Sequence, residues 1–249
     1  MKHQLKAVVL AAGKGTRLQT EGCDLPKVLR LACGRPLLGY VLEAISFIDK
    51  KDIIIVAGYK REEVTAQFPG YTYAVQAEQL GTGHAVTASE NTLKGFGGSV
   101  LVCYGDMPML RRATYETLVK AHFKGKNDCT ILSGRADEKL PYGRIVRDES
   151  GGFQKIVEDR DCTAEEKAIT ELNTGLYVFE AEKLLPALSK LKNNNAQGEY
   201  YLTDVPAILK EEGAKIGICT LDLGSEIIGV NTIDQLRQAE DILRRRGTC

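Results

Sequence analysis

Glycine and basic residues follow the first apolar run of the chain in a spacing that suits phosphate binding. The segment Val8–Leu18 reads VVLAAGKGTRL. Gly13 and Gly15 lack side chains, so backbone N–H groups there can approach phosphate oxygens closely. Arg17 can grip a phosphate with two donors, and Lys27 further along can reach one from a second direction. The pattern predicts a loop that holds a phosphate group.

Two familiar phosphate loops do not fit this segment. A GxGxxG loop needs a third glycine where Leu18 stands. A GxxxxGK[ST] loop needs a hydroxyl residue where Gly15 stands, and its upstream glycine is also missing. The competing interpretation is a surface turn with ordinary basic residues. The apolar strand before the loop and the cations after it favour phosphate binding instead.

An acidic residue follows the apolar run SVLVCY. Asp106 comes directly after Tyr104 and Gly105. Mg²⁺ prefers hard oxygen ligands, usually one or two from the protein together with phosphates and water. A carboxylate at the C-terminal end of a buried strand therefore suits a divalent cation. Taken by itself, the same residue is explained equally well as a turn or helix cap.

A polar segment, QAEQLGTGHA, spans residues 76–85. The amide of Gln76 carries both donors and acceptors, which suits the edge of a uracil ring. The alternative is a helix N-terminus with Thr82 as its cap and no ligand. His84 by itself is better explained as a structural residue.

Short β-branched runs alternate with amphipathic segments through the first half of the chain. Such alternation is typical of parallel strands joined by helical crossovers, whose C-terminal ends bind ligands. The mixed pattern of the second half predicts antiparallel strands added to the same sheet. We expect an α/β fold with a Rossmann-like, mainly parallel sheet flanked by helices, a small added β region and a C-terminal helix. The predicted strands are 6–10, 53–57, 72–76, 99–104, 129–134, 143–147, 153–158, 172–179 and 215–220, and the predicted helices are 37–47, 61–67, 83–91, 112–123, 181–191, 201–212 and 232–246.

Composition limits the classes of function. The 249 residues carry 33 Lys and Arg against 33 Asp and Glu, so the bulk charge does not support a nucleic-acid groove. No run approaches the roughly 20 apolar residues of a membrane span. The 7 cysteines and 3 histidines are scattered, which favours reduced thiols over a disulfide framework or a zinc site. We expect a cytoplasmic protein that binds neither nucleic acid nor membrane.

The motifs together resemble the signature of bacterial sugar nucleotidyltransferases. LAAGKGTR followed by LPKVL carries the first part of this likeness. The later segments narrow it to the UDP-N-acetylglucosamine pyrophosphorylases, the uridyltransferase half of a bifunctional enzyme family. They run in order along nearly the whole chain as QAEQLGTGHA, YGD, YGRIV, IVE, ELNTG, EYYLTD and GVN.

The resemblance implies a nucleotide-diphospho-sugar transferase fold and a reaction. The reaction is Mg²⁺-dependent transfer of a uridylyl group from UTP to N-acetylglucosamine 1-phosphate, with release of pyrophosphate. The likeness further implies catalytic roles for Arg17 and Lys27, and Mg²⁺ ligation by Asp106 and Asn231. The implied nucleotide-binding residues are Leu10, Ala11, Ala12, Gly13, Lys14, Gly15, Gln76, Gln79, Gly81 and Thr82, and the implied sugar-phosphate-binding residues are Tyr104, Gly105, Gly143, Glu158, Asn173 and Thr203.

Two alternatives remain. A related nucleotidyltransferase would use another sugar, such as glucose 1-phosphate, or dTTP. A non-catalytic nucleotide-sugar sensor would keep the fold, although it would not need both cations and both metal ligands.

The chain departs from the family pattern at its end and in one loop. The hexapeptide repeats of the left-handed β-helix do not follow LRRRGTC, so we expect no acetyltransferase activity and a monomer or weak dimer. We divide the chain into a nucleotidyltransferase domain over residues 1–230 and a C-terminal connecting helix over residues 231–249. Residues 20–23 are extra relative to the family pattern.

Overall fold

A computed structural model describes residues 4–18, 24–135 and 140–249, so the extra residues 20–23 lie outside the described residues. The described residues form a nine-stranded mixed sheet with helices on both faces and a small separate hairpin, which confirms the expected fold class. The strands are β1 (Leu5–Ala11), β2 (Leu31–Ala32), β3 (Arg35–Pro36), β4 (Ile53–Ala57), β5 (Thr72–Val75), β6 (Ser99–Tyr104), β7 (Cys129–Arg135), β8 (Arg144–Arg147), β9 (Phe153–Val157), β10 (Glu171–Glu180) and β11 (Ile216–Leu221). The helices are α1 (Leu37–Ala44), α2 (Arg61–Gln67), α3 (Thr82–Thr87), α4 (Glu90–Leu93), α5 (Arg112–Gly125), α6 (Ala181–Leu188), α7 (Val205–Glu211) and α8 (Ile233–Arg245).

Strand β1 lies inside the sheet and is buried on both faces. It pairs in parallel with β4 on one side and with β6 on the other, and β4 pairs in parallel with β5. Side chains of a strand alternate between the two faces. Val9 accordingly packs in the core on one face, and Val8 and Leu10 pack in the core on the other. Burial on both faces explains why the strand reads as a continuous apolar run.

Strand β10 brings the antiparallel half into the same sheet. It lies antiparallel between β6 and β7, while β11 pairs in parallel with β7 at the far edge. A bulge shifts the register of β10 against β7 between Asn173 and Tyr177. Strands β8 and β9 form a hairpin attached to β10 through the pair Leu172 and Arg144. The expected antiparallel additions are therefore confirmed.

The predicted helices 37–47 and 181–191 end three residues earlier than expected, at Ala44 and Leu188, and two other predicted helices are interrupted or begin late. The predicted helix 83–91 is two short helices, because the Ser89 hydroxyl donates to the Val86 carbonyl at 2.6 Å and competes with continuous helical bonding. The predicted helix 201–212 starts with a 3₁₀ turn, and α7 begins only at Val205. Pro206 explains this start, because proline lacks an N–H and is tolerated in the first turn of a helix.

The C-terminal helix packs against the short hairpin of β2 and β3. It begins with a capping box, in which the Thr232 side chain accepts from the Gln235 N–H and the Gln235 side chain accepts from the Thr232 N–H. Ala239 and Leu243 of α8 enter a small apolar cluster with Ala32. The domain boundary at residue 230 stays a prediction. Within the described part of the chain, no helix is long and apolar enough to cross a membrane.

One expectation about the cysteines is wrong. Cys33 in the hairpin and Cys249 after α8 form a disulfide, with their Cα atoms 5.3 Å apart and a sequence separation of 216 residues. Spacing along the chain could not reveal this pair, because only the packing of α8 on the hairpin brings the two together. Cys103, Cys129 and Cys162 are free, as is Cys219.

The bulge of β10 predicts a sharp difference between two glycine substitutions. Gly175 has φ +79°, and a β-carbon there would overlap the Tyr104 ring. Gly151 has φ +80° but open space where its β-carbon would lie. We expect Gly151→Ala to lower the free energy of unfolding by about 1–2 kcal/mol, the cost of left-handed backbone alone. We expect Gly175→Ala to lower the free energy of unfolding by about 1–3 kcal/mol more than Gly151→Ala does, because its β-carbon also overpacks the core.

Urea unfolding of both variants, at an unchanged slope m, measures this difference. Equal losses in the two variants would contradict the close packing of Gly175 against Tyr104.

Candidate active site

The C-terminal ends of the parallel strands are tied together by backbone hydrogen bonds. The Gly105 N–H after β6 donates to the Leu10 carbonyl of β1 at 2.9 Å. The Tyr59 N–H after β4 donates to the Ala12 carbonyl at 3.1 Å. Because parallel strands end at the same edge of a sheet, the loops that follow them meet there. This edge is where the predicted phosphate loop and Asp106 come together.

A cavity of about 310 Å³ opens at these strand ends. Its walls come from the loops after β1 and β6, the start of α3 and the segment before α8. Most of the predicted nucleotide-binding residues line it, together with both predicted metal ligands. The predicted residues in its lining are Leu10, Ala11, Ala12, Gly13, Lys27, Gln76, Gln79, Gly81, Thr82, Tyr104, Asp106 and Asn231.

Gln76 is held at one wall of this cavity. It is only 4% exposed, and its Nε2 donates to the Gly81 carbonyl at 3.0 Å and lies 3.2 Å from Nδ1 of His84. The alternative in which Thr82 caps the helix is wrong, because Gly81 occupies the N-cap position and makes no side-chain cap. The Thr82 hydroxyl instead accepts from the Leu202 N–H at 3.0 Å.

A second cavity of about 170 Å³ adjoins the first and shares Tyr104, Asp106 and Asn231 with it. Four predicted sugar-phosphate residues line it: Tyr104 at the end of β6, and three from the antiparallel part of the sheet, namely Gly143, Glu158 and Asn173. The antiparallel strands position them, because the Asn173 N–H donates to the Gly143 carbonyl at 2.8 Å.

The bulge of β10 orients the Asn173 side chain. Its Nδ2 donates to the buried Tyr177 hydroxyl at 2.7 Å, and its Oδ1 accepts from the Gly175 N–H at 3.2 Å. The Thr174 hydroxyl anchors the same bulge by donating to the Leu132 carbonyl at 2.8 Å. Bulges commonly redirect side chains next to active sites, and this one aims an amide into the second cavity.

Glu158 is a carboxylate in a largely enclosed setting. Burial raises the pKa of its carboxyl, and the negative charges of Asp204 and Asp161 raise it further, while the Thr203 hydroxyl lowers it by donating to Oε1 at 2.9 Å. Thr203 is 2% exposed and lies outside the cavity lining, so it acts on the site through Glu158.

Lys27, Asp106 and Asn231 meet where the two cavities join. The Lys27 ammonium donates to the Asp106 carboxylate and, at 2.7 Å, to Oδ1 of Asn231. Asn231 is carried to this point by a backbone bond from the Val230 N–H to the Asp106 carbonyl, 3.0 Å long. Lys27 stands at the start of a 3₁₀ turn whose next residue, Val28, is buried.

The oxygens of Asp106 and Asn231 fit a divalent cation. They converge on one point, and in the structure a positively charged ammonium group stands there. A carboxylate and an amide oxygen are hard ligands of the kind that Mg²⁺ takes, in the number it usually takes from a protein. Across the described ranges, no group of three or more His, Cys, Asp or Glu side chains suits a metal ion.

Several predicted residues lie outside both cavity linings. Arg17 is exposed in the 3₁₀ turn Thr16–Leu18, and the Lys14 ammonium lies 5.1 Å from the centre of the Tyr59 ring. Gly15 has φ +69° and packs against Lys27. Gly105 packs against the side chains of Val28 and Leu38. The proposed roles of these residues stay predictions.

Other cavity residues were not predicted. The Tyr142 hydroxyl accepts from the Gly229 N–H at 2.8 Å, and both residues line the second cavity. Glu199 lines the first cavity. All three fall within the motifs YGRIV, GVN and EYYLTD, so the motifs held the signal although the residue types by themselves indicated no particular chemistry.

The raised pKa of Glu158 predicts a pH-dependent gain in stability for Glu158→Gln. When the pKa of a carboxyl is higher in the folded than in the unfolded protein, its ionisation lowers the free energy of unfolding. This loss develops as pH rises from the unfolded to the folded pKa, and it remains at higher pH. Glutamine stays neutral and still accepts from Thr203. We therefore expect the variant to be more stable than the parent at pH 7, and the gain to vanish as pH falls below the ordinary glutamate value.

Urea unfolding at several pH values measures this gain. Glu182→Gln changes an exposed carboxylate and should stay within about 0.5 kcal/mol of the parent throughout. The difference in free energy of unfolding between Glu158→Gln and the parent is the quantity to follow. If this difference favoured the variant less at pH 7 than at low pH, the raised pKa of Glu158 would be contradicted.

Comparison with known proteins places this chain in a family. The chain matches the family model described as "Nucleotidyl transferase" over residues 6–222. It is 46% identical to "Bifunctional protein GlmU" of Clostridium beijerinckii and 45% identical to that of Clostridium novyi, in each case over 242 residues, 96% of this chain and 52% of the relative. The chain thus spans about half the length of the curated relatives it matches.

A solved structure of a Bacillus anthracis protein, described as a glucose-1-phosphate thymidylyltransferase, has the same fold. The two superpose with a TM-score of 0.74 at 20% identity, covering 97% of this chain and 96% of the other. The family match over most of the chain, together with this fold, shows that the chain belongs to the nucleotidyl transferase family.

Proposed function

We propose that this chain transfers a uridylyl group from UTP to N-acetylglucosamine 1-phosphate and releases pyrophosphate. The observation that carries the proposal is the meeting of Lys27, Asp106 and Asn231 where the two cavities join. Membership of the nucleotidyl transferase family supports the reaction type. The likeness to the GlmU proteins and the motif pattern support the choice of substrates.

The first cavity is suited to the nucleotide. Gln76, held through Nε2 by the Gly81 carbonyl, offers an amide to the edge of a uracil ring. The backbone of Leu10 to Gly13 lines the same cavity, and Ala12 and Gly13, which follow the end of β1, offer N–H groups to the phosphates. Gly13 has open space at its β position, which leaves room for a phosphate to approach.

The second cavity is suited to the sugar phosphate. Glu158 is an acceptor for sugar hydroxyls, and the oriented amide of Asn173 suits an acetamido group. Gly143 has no room for a side chain, since a β-carbon there would lie 2.9 Å from Cγ2 of Ile156.

Asp106 and Asn231 would hold Mg²⁺ at the junction. The remaining positions around the ion would be taken by phosphate oxygens and water. A magnesium ion bound there supplies positive charge between the two phosphorylated substrates.

The residues of the chain have mainly to position the substrates and neutralise charge. The phosphate oxygen of the sugar phosphate attacks the α-phosphorus of UTP, a new P–O bond forms, and the bond to pyrophosphate breaks. The nucleophile is already an anion, so no general base is required. Repulsion between the anions is the main obstacle, and preorganised cations reduce it. Lys27 would neutralise charge around the α-phosphorus, and Arg17 would hold the departing pyrophosphate.

Removal of the Lys27 ammonium tests the proposed catalytic role. We expect Lys27→Ala to lower kcat by about 10²–10³, by analogy with the loss of one donor from an oxyanion hole. Pyrophosphate release with saturating UTP, Mg²⁺ and sugar phosphate measures the effect. Lys94→Ala removes an exposed lysine outside both cavities and should retain parental turnover. Unchanged turnover in Lys27→Ala would refute the role.

Substrate choice is tested by a panel of nucleotides and sugar phosphates. We expect UTP with N-acetylglucosamine 1-phosphate to give the highest kcat/KM, because Asn173 and Glu158 both face the sugar cavity. Pyrophosphate release with UTP or dTTP, paired with N-acetylglucosamine 1-phosphate or glucose 1-phosphate, measures the preference. A higher kcat/KM with glucose 1-phosphate or dTTP would favour the related nucleotidyltransferase.

The non-catalytic sensor gives a different result in the same panel. A sensor would bind UDP-N-acetylglucosamine and release no pyrophosphate with any pair of substrates, with or without Mg²⁺. The ion pair of Lys27 with Asp106 argues against it, because a binding protein does not need a cation placed at the junction of the two substrates.

A further inference from the structure

The Lys27 ammonium stands at the position that the two oxygen ligands define. Asp106 lies 79 residues from Lys27 in sequence, and Asn231 lies 204 residues from it, yet both accept a hydrogen bond from the same nitrogen. The Lys27 side chain is 15% exposed and that of Asp106 is 16% exposed, so the pair is largely withdrawn from water. A carboxylate in such a setting needs a cation beside it.

The base of the Lys27 side chain is closely packed, whereas its ammonium is held by hydrogen bonds to side chains. On one side the backbone continues into a 3₁₀ turn with Val28 and Leu29 buried. On the other side Gly15 packs so closely that a β-carbon there would lie 2.6 Å from Cβ of Lys27. Beyond these contacts, four single bonds carry the ammonium, and lysine ammonium groups reorient readily about such a stem. The ammonium can therefore exchange partners without movement of the backbone.

We propose that Lys27 is the resident counter-ion of the substrate-free site and that a divalent cation enters only as the ammonium leaves. This inference rests on the proposed function, because it takes Asp106 and Asn231 as the ligands of the ion. Two cations cannot share the same pair of oxygens at contact distance, since their repulsion in a partly buried site is strong. An arriving nucleotide removes the conflict, because its phosphates accept the displaced ammonium. Ion binding and nucleotide binding are thereby coupled.

The proposal predicts that Lys27 weakens ion binding in the absence of nucleotide. Lys27→Met keeps most of the apolar stem and removes the charge, which leaves Asp106 without its counter-ion. We expect Mn²⁺, used by itself as the probe, to bind this variant at least about tenfold more tightly than the parent, a change of about 1.4 kcal/mol. The paramagnetic resonance signal of free Mn²⁺, titrated against protein without nucleotide or sugar phosphate, measures the dissociation constant.

Two further variants identify the site and the cause. Lys27→Met combined with Asp106→Asn should lose the gain, because the carboxylate that attracts the ion is gone. Lys94→Met removes an exposed lysine that lies outside both cavities. It should leave Mn²⁺ binding at the parental level. Lys27→Gln, which retains a hydrogen-bond donor without charge, should repeat the gain if Lys27→Met fails to fold.

Equal or weaker Mn²⁺ binding in the folded Lys27 variants would overturn the proposal. A gain that survives Asp106→Asn would also overturn it, since the ion would then bind elsewhere. An equal gain in Lys94→Met would overturn it too, since the gain would then follow from net charge alone. The titration contains no substrate, so its result is independent of turnover. A protein without uridylyl transfer that still shows the gain would refute the proposed function alone, whereas an active protein without the gain would refute the counter-ion role alone.

Discussion

A largely buried carboxylate must lie beside positive charge, and Asp106 imposes this requirement on the centre of the site. Only 16% of its side chain is exposed, so water does little to compensate the charge. The Lys27 ammonium meets the need from one side and also binds the Asn231 amide oxygen. The three residues come from three distant parts of the chain. Their meeting point is also the boundary between the first and the second cavity.

The two cavities depend on two kinds of strand pairing. Parallel strands β1, β4 and β6 end at one edge of the sheet and bring their loops together there, which builds the first cavity. The antiparallel strand β10 runs back beside β6, so its first half lies next to the same edge. The bulge in β10 then aims Asn173 into the second cavity. A wholly parallel sheet would not supply this second wall.

Some residues that serve the site lower the stability of the fold. Glu158 is a carboxylate whose burial raises its pKa, which means that its charged form is unfavourable where it stands. Gly175 adopts a left-handed conformation that other residues adopt only with strain, and it leaves no room for a side chain beside Tyr104. Such local costs are common at functional sites, where geometry matters more than stability.

The sequence by itself determined the central strands, the glycine-rich loop after β1 and the polar residues at the strand ends. These features are local. A strand buried on both faces reads as a run of β-branched residues, and glycines followed by a basic residue can be recognised within a few positions. Only the tertiary structure decided that Lys27 binds both Asp106 and Asn231, and that Cys33 pairs with Cys249. Contacts across such separations depend on how helices and strands pack, which no local pattern records. The same reason explains why Thr203 contacts Glu158 behind the cavity wall, since two separate elements must pack before that bond can form.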